Sequence, residues 1–190
     1  MAEIYRIGSD DLVDRVSTFG GTNLALATNY DQFGINTYDI KTNVTFLGNN
    51  KVKIEAGGRL RRYANTIVNF PNGPRSFKGT LVRSIPIYEN TLDTDTGFTV
   101  WYKTTATSGG GYGYTIPSQY TGLIYITNTL VNESSYYGFS LEAYATEATS
   151  GYIIIGPLKV EIGNKPTDWT PAPEDLVTYD STSESLVFFQ

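Results

Sequence analysis

Lys51 to Glu55 alternates without a break: Val52 and Ile54 fall on one side of an extended chain, and Lys51, Lys53 and Glu55 on the other. A two-residue period of this kind fits a strand with one buried and one solvated face. The same period returns at Phe98, Val100 and Tyr102 against Thr99, Trp101 and Lys103. It returns again at Phe139, Leu141, Ala143 and Ala145 against Ser140, Glu142, Tyr144 and Thr146. That last run contains Leu-Glu-Ala-Tyr-Ala-Thr-Glu-Ala, whose composition favours a helix, but its alternation assigns it to a strand.

Further strands are expected at Val44 to Leu47, Thr66 to Phe70, Thr80 to Tyr88, Leu123 to Thr127 and Tyr152 to Ile155, then at Leu158, Val160 and Ile162. Pro86 marks an edge or a bulge, because proline cannot donate to a ladder. Pro71-Asn72-Gly73-Pro74 and Asn90 to Gly97 are turns. Many short strands, turn signals between them and no sustained helical stripe predict an all-β fold, an antiparallel β-sandwich of jelly-roll type. A chain of 190 residues can bury about 70% of its unfolded surface in one such domain.

The ends differ from this middle. Ser9, Asp10 and Asp11 make a helix N-cap region, and Leu12, Val13 and Val16 a short apolar stripe. Residues 1–20 are therefore a lead-in segment, which either docks on a partner or packs as a short helix on its own domain. Residues 21–175 form the sandwich. Residues 176–190 are a C-terminal extension ending in Leu186-Val187-Phe188-Phe189, an apolar run expected to pack on a neighbouring subunit or partner.

The chain has no cysteine and no histidine. This removes thiol catalysis, Ser-His-Asp triads and Cys/His zinc sites, and with them any need for an oxidising compartment. Charged residues are 17% and the net charge is −5, so no broad positive face for nucleic acid is expected. Arg59, Arg61 and Arg62, beside Tyr63, read as the solvated face of a strand. No apolar run approaches the ~20 residues of a membrane helix, and Met1 to Gly8 lacks the pattern of a signal peptide.

Paired carboxylates for glycoside chemistry are few. Asp93 with Asp95, or Glu142 with Glu133, are the candidates, and Asp93 to Gly97 reads more simply as a turn. No catalytic residue is assigned and no enzyme is expected. Asp93 and Asp95 are also the one weak calcium candidate; no other cofactor is implied. The run Gly109-Gly110-Gly111-Tyr112-Gly113-Tyr114 is expected to be a flexible loop, since glycine weakens strands and helices. It presents Tyr112 and Tyr114, with Gln119 and Tyr120 close behind. Sugars stack on aromatic rings while amides and hydroxyls read their hydroxyl groups, so these residues and Trp101 are the candidate carbohydrate contacts. The alternative places Trp101 in the core and Tyr102 outside.

The segment Gly156 to Asp175 carries Leu158-Lys159-Val160-Glu161-Ile162-Gly163 and then Pro166-Thr167-Asp168-Trp169-Thr170-Pro171-Ala172-Pro173-Glu174-Asp175. It resembles the last strand and exit loop of carbohydrate-binding-module-like, galactose-binding-like jelly rolls found in phage tail, baseplate and fibre proteins. Thr22 to Leu26 and Phe98 to Thr104 resemble the opening and central strands of that family. Ala27-Thr28-Asn29 departs from its usual turn, and the chain continues past Asp175. In the residues themselves, Leu158, Val160 and Ile162 are expected inward, and Lys159 and Glu161 outward. Trp169 reads as a structural lid rather than a ligand contact, and Pro171 and Pro173 stiffen the exit.

The resemblance implies a virion structural protein of the tail, baseplate, neck or fibre that aids attachment to host cell-wall glycans. It implies other virion proteins and host cell-surface polysaccharide as partners, a homo-oligomer with a trimer favoured, and assembly in the host cytoplasm with release by lysis. The alternatives are a purely structural capsid, head-fibre or decoration protein with no sugar site, and the binding module of a polysaccharide-degrading enzyme.

Overall fold

The computed structural model describes residues 22–26, 28–33, 38–62, 67–105, 108–180 and 185–188. Its strands are β1 (Ile40–Gly48), β2 (Lys51–Arg61), β3 (Arg75–Asn90), β4 (Thr96–Lys103), β5 (Gly109–Ile116), β6 (Gly122–Tyr136), β7 (Gly138–Tyr144), β8 (Tyr152–Ile155), β9 (Lys159–Ile162), β10 (Val177–Asp180) and β11 (Ser185–Phe188). Among the described residues one helical turn, α1 (Tyr30–Phe33), precedes them, and a 3-10 turn covers Pro173–Leu176. The segment 1–20 lies outside the described residues.

Alternation becomes a sandwich through one kink. Gly57 takes a φ of +73°, and a Cβ on Gly58 would lie 2.5 Å from the Glu55 carbonyl. Only glycines fit there. The kink divides β2, so that Val52 to Glu55 pair with β8 and Arg59 to Arg61 pair with β7. Strand β1 breaks in step: its register shifts between Thr42 and Val44, and Asn43, at a φ of +48°, donates its amide to the Ala56 carbonyl. A bulge of this type lets a strand pass from one layer to the other. One layer therefore reads β5-β4-β7-β2 and the other β2-β8-β3-β6, with β9 also on β3, all antiparallel.

The inner faces meet in one apolar core. Phe98 and Val100 of β4, Phe139 and Leu141 of β7, and Leu60 of β2 are fully buried, as are Leu81 and Ile85 of β3 and Ile155 of β8 to within 1%. Burying side chains of this size contributes about 1.5–3 kcal/mol each. The antiparallel sandwich expected from the alternation is thus what the chain forms, and Glu142 to Tyr144 belong to a strand, not a helix; that strand ends before Ala145, earlier than the alternation suggests. Pro86 lies between the β9 contact at Leu81–Ser84 and the β8 contact that begins at Ile87, where the register shifts and no proline N–H is required.

Several expectations are corrected. Ile67 to Phe70 contains no strand, although Ile67 and Phe70 are core residues; Thr66 lies outside the described residues. Thr22 to Leu26 is not a strand either. It is fastened to β9 instead, by a backbone bond from Leu24 to Val160 and by the buried Asn23, whose Oδ1 accepts from the Val160 N–H at 3.0 Å. Arg62 is 1% exposed, its guanidinium 4.8 Å from the centre of the Tyr38 ring, so it is not on a solvated face. After residue 175 the chain forms a hairpin, β10 with β11.

Candidate functional site

The run 109–116 is a strand, not a flexible loop. Strand β5 pairs with β4 along its whole length, Gly109 opposite Lys103 through Ile116 opposite Thr96. The glycines are needed because the facing rings of β4 fill the space that side chains would take. A Cβ on Gly110 would lie 2.6 Å from the Tyr102 hydroxyl, and one on Gly111 3.1 Å from the Trp101 indole. Glycine's cost in a strand is offset here by the aromatic surface laid over it.

This pairing sets where the candidate residues point. Trp101 faces away from Phe98, Val100 and Tyr102, as expected, and is half-buried. Its indole N–H donates to Glu142 Oε2 at 2.7 Å, and the Arg61 guanidinium lies 4.9 Å from its ring centre. Arg59 donates to the other oxygen of Glu142 at 2.7 Å. Trp101 is therefore anchored in a charged lattice on the outer face of β4, β7 and β2.

Tyr112 and Tyr114 point to the other face of β5. Tyr114 is 43% exposed, its ring centre 5.8 Å from that of Phe98, so it carries the core's aromatic surface out to the edge of the sandwich. Tyr112 is half-buried, 5.4 Å from Tyr102, which lies 5.4 Å from Tyr136. β5 ends one layer and β6 ends the other. They meet where Asn128 of β6 donates to the Tyr112 hydroxyl at 3.5 Å.

Beneath this seam is Arg83 of β3, 0% exposed. Its guanidinium stacks 4.4 Å from the Tyr112 ring centre, and Nη1 donates to Asn128 Oδ1. Among the described residues, Nε and Nη2 are buried without a hydrogen-bond partner and no ion pair includes Arg83. Desolvation lowers its pKa, against the raising influence of Tyr112, Tyr136 and Tyr102. The sequence signalled this residue: Arg83 is in phase with Leu81, Ile85 and Ile87, a charge on the core side of a strand.

Gln119 and Tyr120 lie in the β5–β6 connection, not beside Tyr112. Gln119 takes a φ of +61° and is exposed, and Tyr120 is half-buried with its hydroxyl donating to the Leu123 carbonyl at 3.1 Å. Asp93 accepts from the Thr149 N–H and from the Thr149 and Ser150 hydroxyls, whereas Asp95 accepts from the Ser118 N–H. The two carboxylates thus serve different turns, and no group of three or more metal-ligating side chains occurs among the described residues.

The exit segment corrects the expected burial along β9. Lys159 and Glu161 are each 1% exposed, and Ile162 is 36% exposed. The two charges do point away from the core, but residues 163–168 fold back over them. Thr167 donates its N–H and its hydroxyl to Glu161, each at 2.7 Å, while Lys159 Nζ donates to the Thr167 hydroxyl at 2.6 Å and to the Asp168 carbonyl. Burial pulls the Lys159 pKa down, and the Glu161 charge beside it works the other way. Trp169 is half-buried, its indole N–H buried without a hydrogen-bond partner among the described residues. Pro171 and Pro173 flank the buried Ala172, and Gln32 of α1 donates to the Asp175 carbonyl at 2.8 Å, which ties the exit to the start of the domain.

No family model and no curated protein matches the chain. Among solved structures, the chain is similar to a carbohydrate-binding module from Cellvibrio mixtus lichenase 5A in complex with cellotriose, with 12% identity and a TM-score of 0.38 over 75% of this chain and 100% of that one.

Proposed function

We propose that this chain is a non-enzymatic glycan-binding β-sandwich that works as a component of a bacteriophage particle, and that it holds sugar at the seam between β5 and β6. The observation that carries the sugar-binding reading is the seam itself. Tyr112 and Tyr114 stand two residues apart on a free edge strand, and so share a face, with the Asn128 amide opposite. Rings offer stacking surface for sugar C–H faces, and an amide both donates to and accepts from hydroxyl groups. The virion half of the proposal is supported by the likeness of Gly156 to Asp175 to phage tail and baseplate endings. A single shallow sugar site of millimolar affinity corresponds to only about 4 kcal/mol; many copies on one particle would raise it by orders of magnitude.

A pull-down on host cell walls, with a glycan array beside it, tests this. Wild type should bind, and Tyr114→Ala, which removes an exposed ring, should bind at least about tenfold more weakly at unchanged melting temperature. Equal binding by both would remove the seam from the proposal. Hydrolysis of wall polysaccharide would overturn its non-enzymatic part.

One observation favours a purely structural subunit instead. Leu123, Tyr125 and Val131 lie on the outer side of the free edge strand β6, Val131 79% exposed. Exposed apolar edges are surfaces on which neighbouring chains pack. Failure of every assembled form to bind any glycan would select this reading.

A further inference from the structure

The seam contains a cation with an incomplete set of partners. Arg83 is fully buried, yet among the described residues only Nη1 of its guanidinium nitrogens has a hydrogen-bond partner, Asn128 Oδ1. An arginine fork presents several N–H donors in a plane that matches the two oxygens of a carboxylate or phosphate. A buried charge without such a partner is costly. What surrounds Arg83 is also suited to a ring-shaped ligand: Tyr112 stacks on it, Tyr102 follows, and the surface above is the seam where two edge strands meet. The contact holding that seam, Asn128 to Tyr112, is long at 3.5 Å.

We infer that Arg83 anchors an oxyanion, a carboxylate or phosphate carried on a sugar, that enters between β5 and β6 when Asn128 swings aside. The inference rests on the glycan reading of the same seam and narrows its ligand to acidic sugars. The free N–H groups at Nε and Nη2 would take the two anion oxygens, while the sugar ring lies against Tyr112 and Tyr114. Neutral sugars would reach the tyrosines and leave Arg83 unpaired.

The test follows the Arg83 Nε–H signal by NMR during titration with glucuronate, glucose 6-phosphate and glucose. A saturable shift with glucuronate or the phosphate, at least about tenfold tighter than with glucose, supports the inference, and the stronger of the two acids identifies the anion. Arg83→Met lacks the Nε–H signal, so its binding is followed at the backbone amides of Tyr112 and Tyr114, where the preference for the acids should be gone. Asn128→Asp provides a second variant: it gives Arg83 a carboxylate of its own, so it should fold and also lose the preference. Equal response to glucose and both acids would overturn the inference and leave the glycan reading standing. No response to any of them, together with no binding to host walls, would overturn both.

Discussion

Glu161 accepts two hydrogen bonds from Thr167, one from the backbone N–H and one from the hydroxyl, each at 2.7 Å. The carboxylate is buried, and its counter-charge, Lys159, is equally buried. Glu161→Ala would leave an ammonium without its partner, which typically costs about 3–5 kcal/mol. Thr167→Val removes only the hydroxyl relay and should cost about 1–2 kcal/mol. Thermal melts of both variants and of the double mutant check this. For a domain of this size 1 kcal/mol is roughly 2–4 °C, and an additive double mutant would show that the two side chains do not act together.

The glycine run gives a sharper contrast. A Cβ on Gly111 would meet Thr99 Cγ2 at 2.6 Å and the Trp101 indole at 3.1 Å, whereas one on Gly113 would meet nothing closer than Thr99 Oγ1 at 3.5 Å. Gly111→Ala is expected to destabilise by about 1–3 kcal/mol through overpacking. Gly113→Ala should be neutral or stabilise by up to about 1 kcal/mol, because it restricts the unfolded chain. Equal, negligible effects in denaturant melts would mean that 109–114 is the loop its composition suggests.

That contrast shows which features were legible in the sequence. Alternation located the strands of Lys51 to Glu55 and Phe98 to Lys103, and it chose strand over helix for Phe139 to Tyr144, because a half-buried sheet imposes its period on every residue. It also turned Trp101 to the face opposite the core. It failed at Gly109 to Tyr114 because the strand state there is set by the rings of β4, which a local reading cannot see. It gave the direction of Lys159 and Glu161 but not their burial, since a second layer, Gly163 to Asp168, covers what one strand alone would leave in water. Arg83 was visible as a charge in phase with Leu81 and Ile85, but its lack of partners follows only from the closure of the two layers at Tyr112 and Asn128.

Glu142 holds the outer face together. It receives the Trp101 N–H and Arg59, and Arg61 lies 3.5 Å away, with its own side chain 6% exposed. Glu142→Ala should cost about 2–3 kcal/mol, less than a fully buried pair because the arginines keep some water. Tryptophan emission should shift as the Trp101 N–H is released to solvent. Glu142→Gln, which keeps an acceptor for the indole, should show most of the stability loss and little of the spectral change. An unaltered emission in Glu142→Ala would contradict the anchoring of Trp101 by this carboxylate.

Asp93 sets a pH dependence of known sign. Its carboxylate accepts from the Thr149 hydroxyl above all, then from the Thr149 N–H and the Ser150 hydroxyl, and these bonds hold its pKa below the ordinary 3.8. As the pH falls, the unfolded chain therefore takes up this proton before the native one. The stability that Asp93 contributes is complete above its ordinary value and is lost as the pH drops through the depressed native value. Asp93→Asn keeps the shape but not the charge, so it should melt below wild type near neutral pH, with the gap closing once the pH is below about 4. The group is exposed, so the gap should be small. A gap that stays constant down to the lowest pH at which both proteins fold would show that hydrogen bonding to the charged carboxylate is not what closes the turn from β3 to β4 against residues 149 and 150.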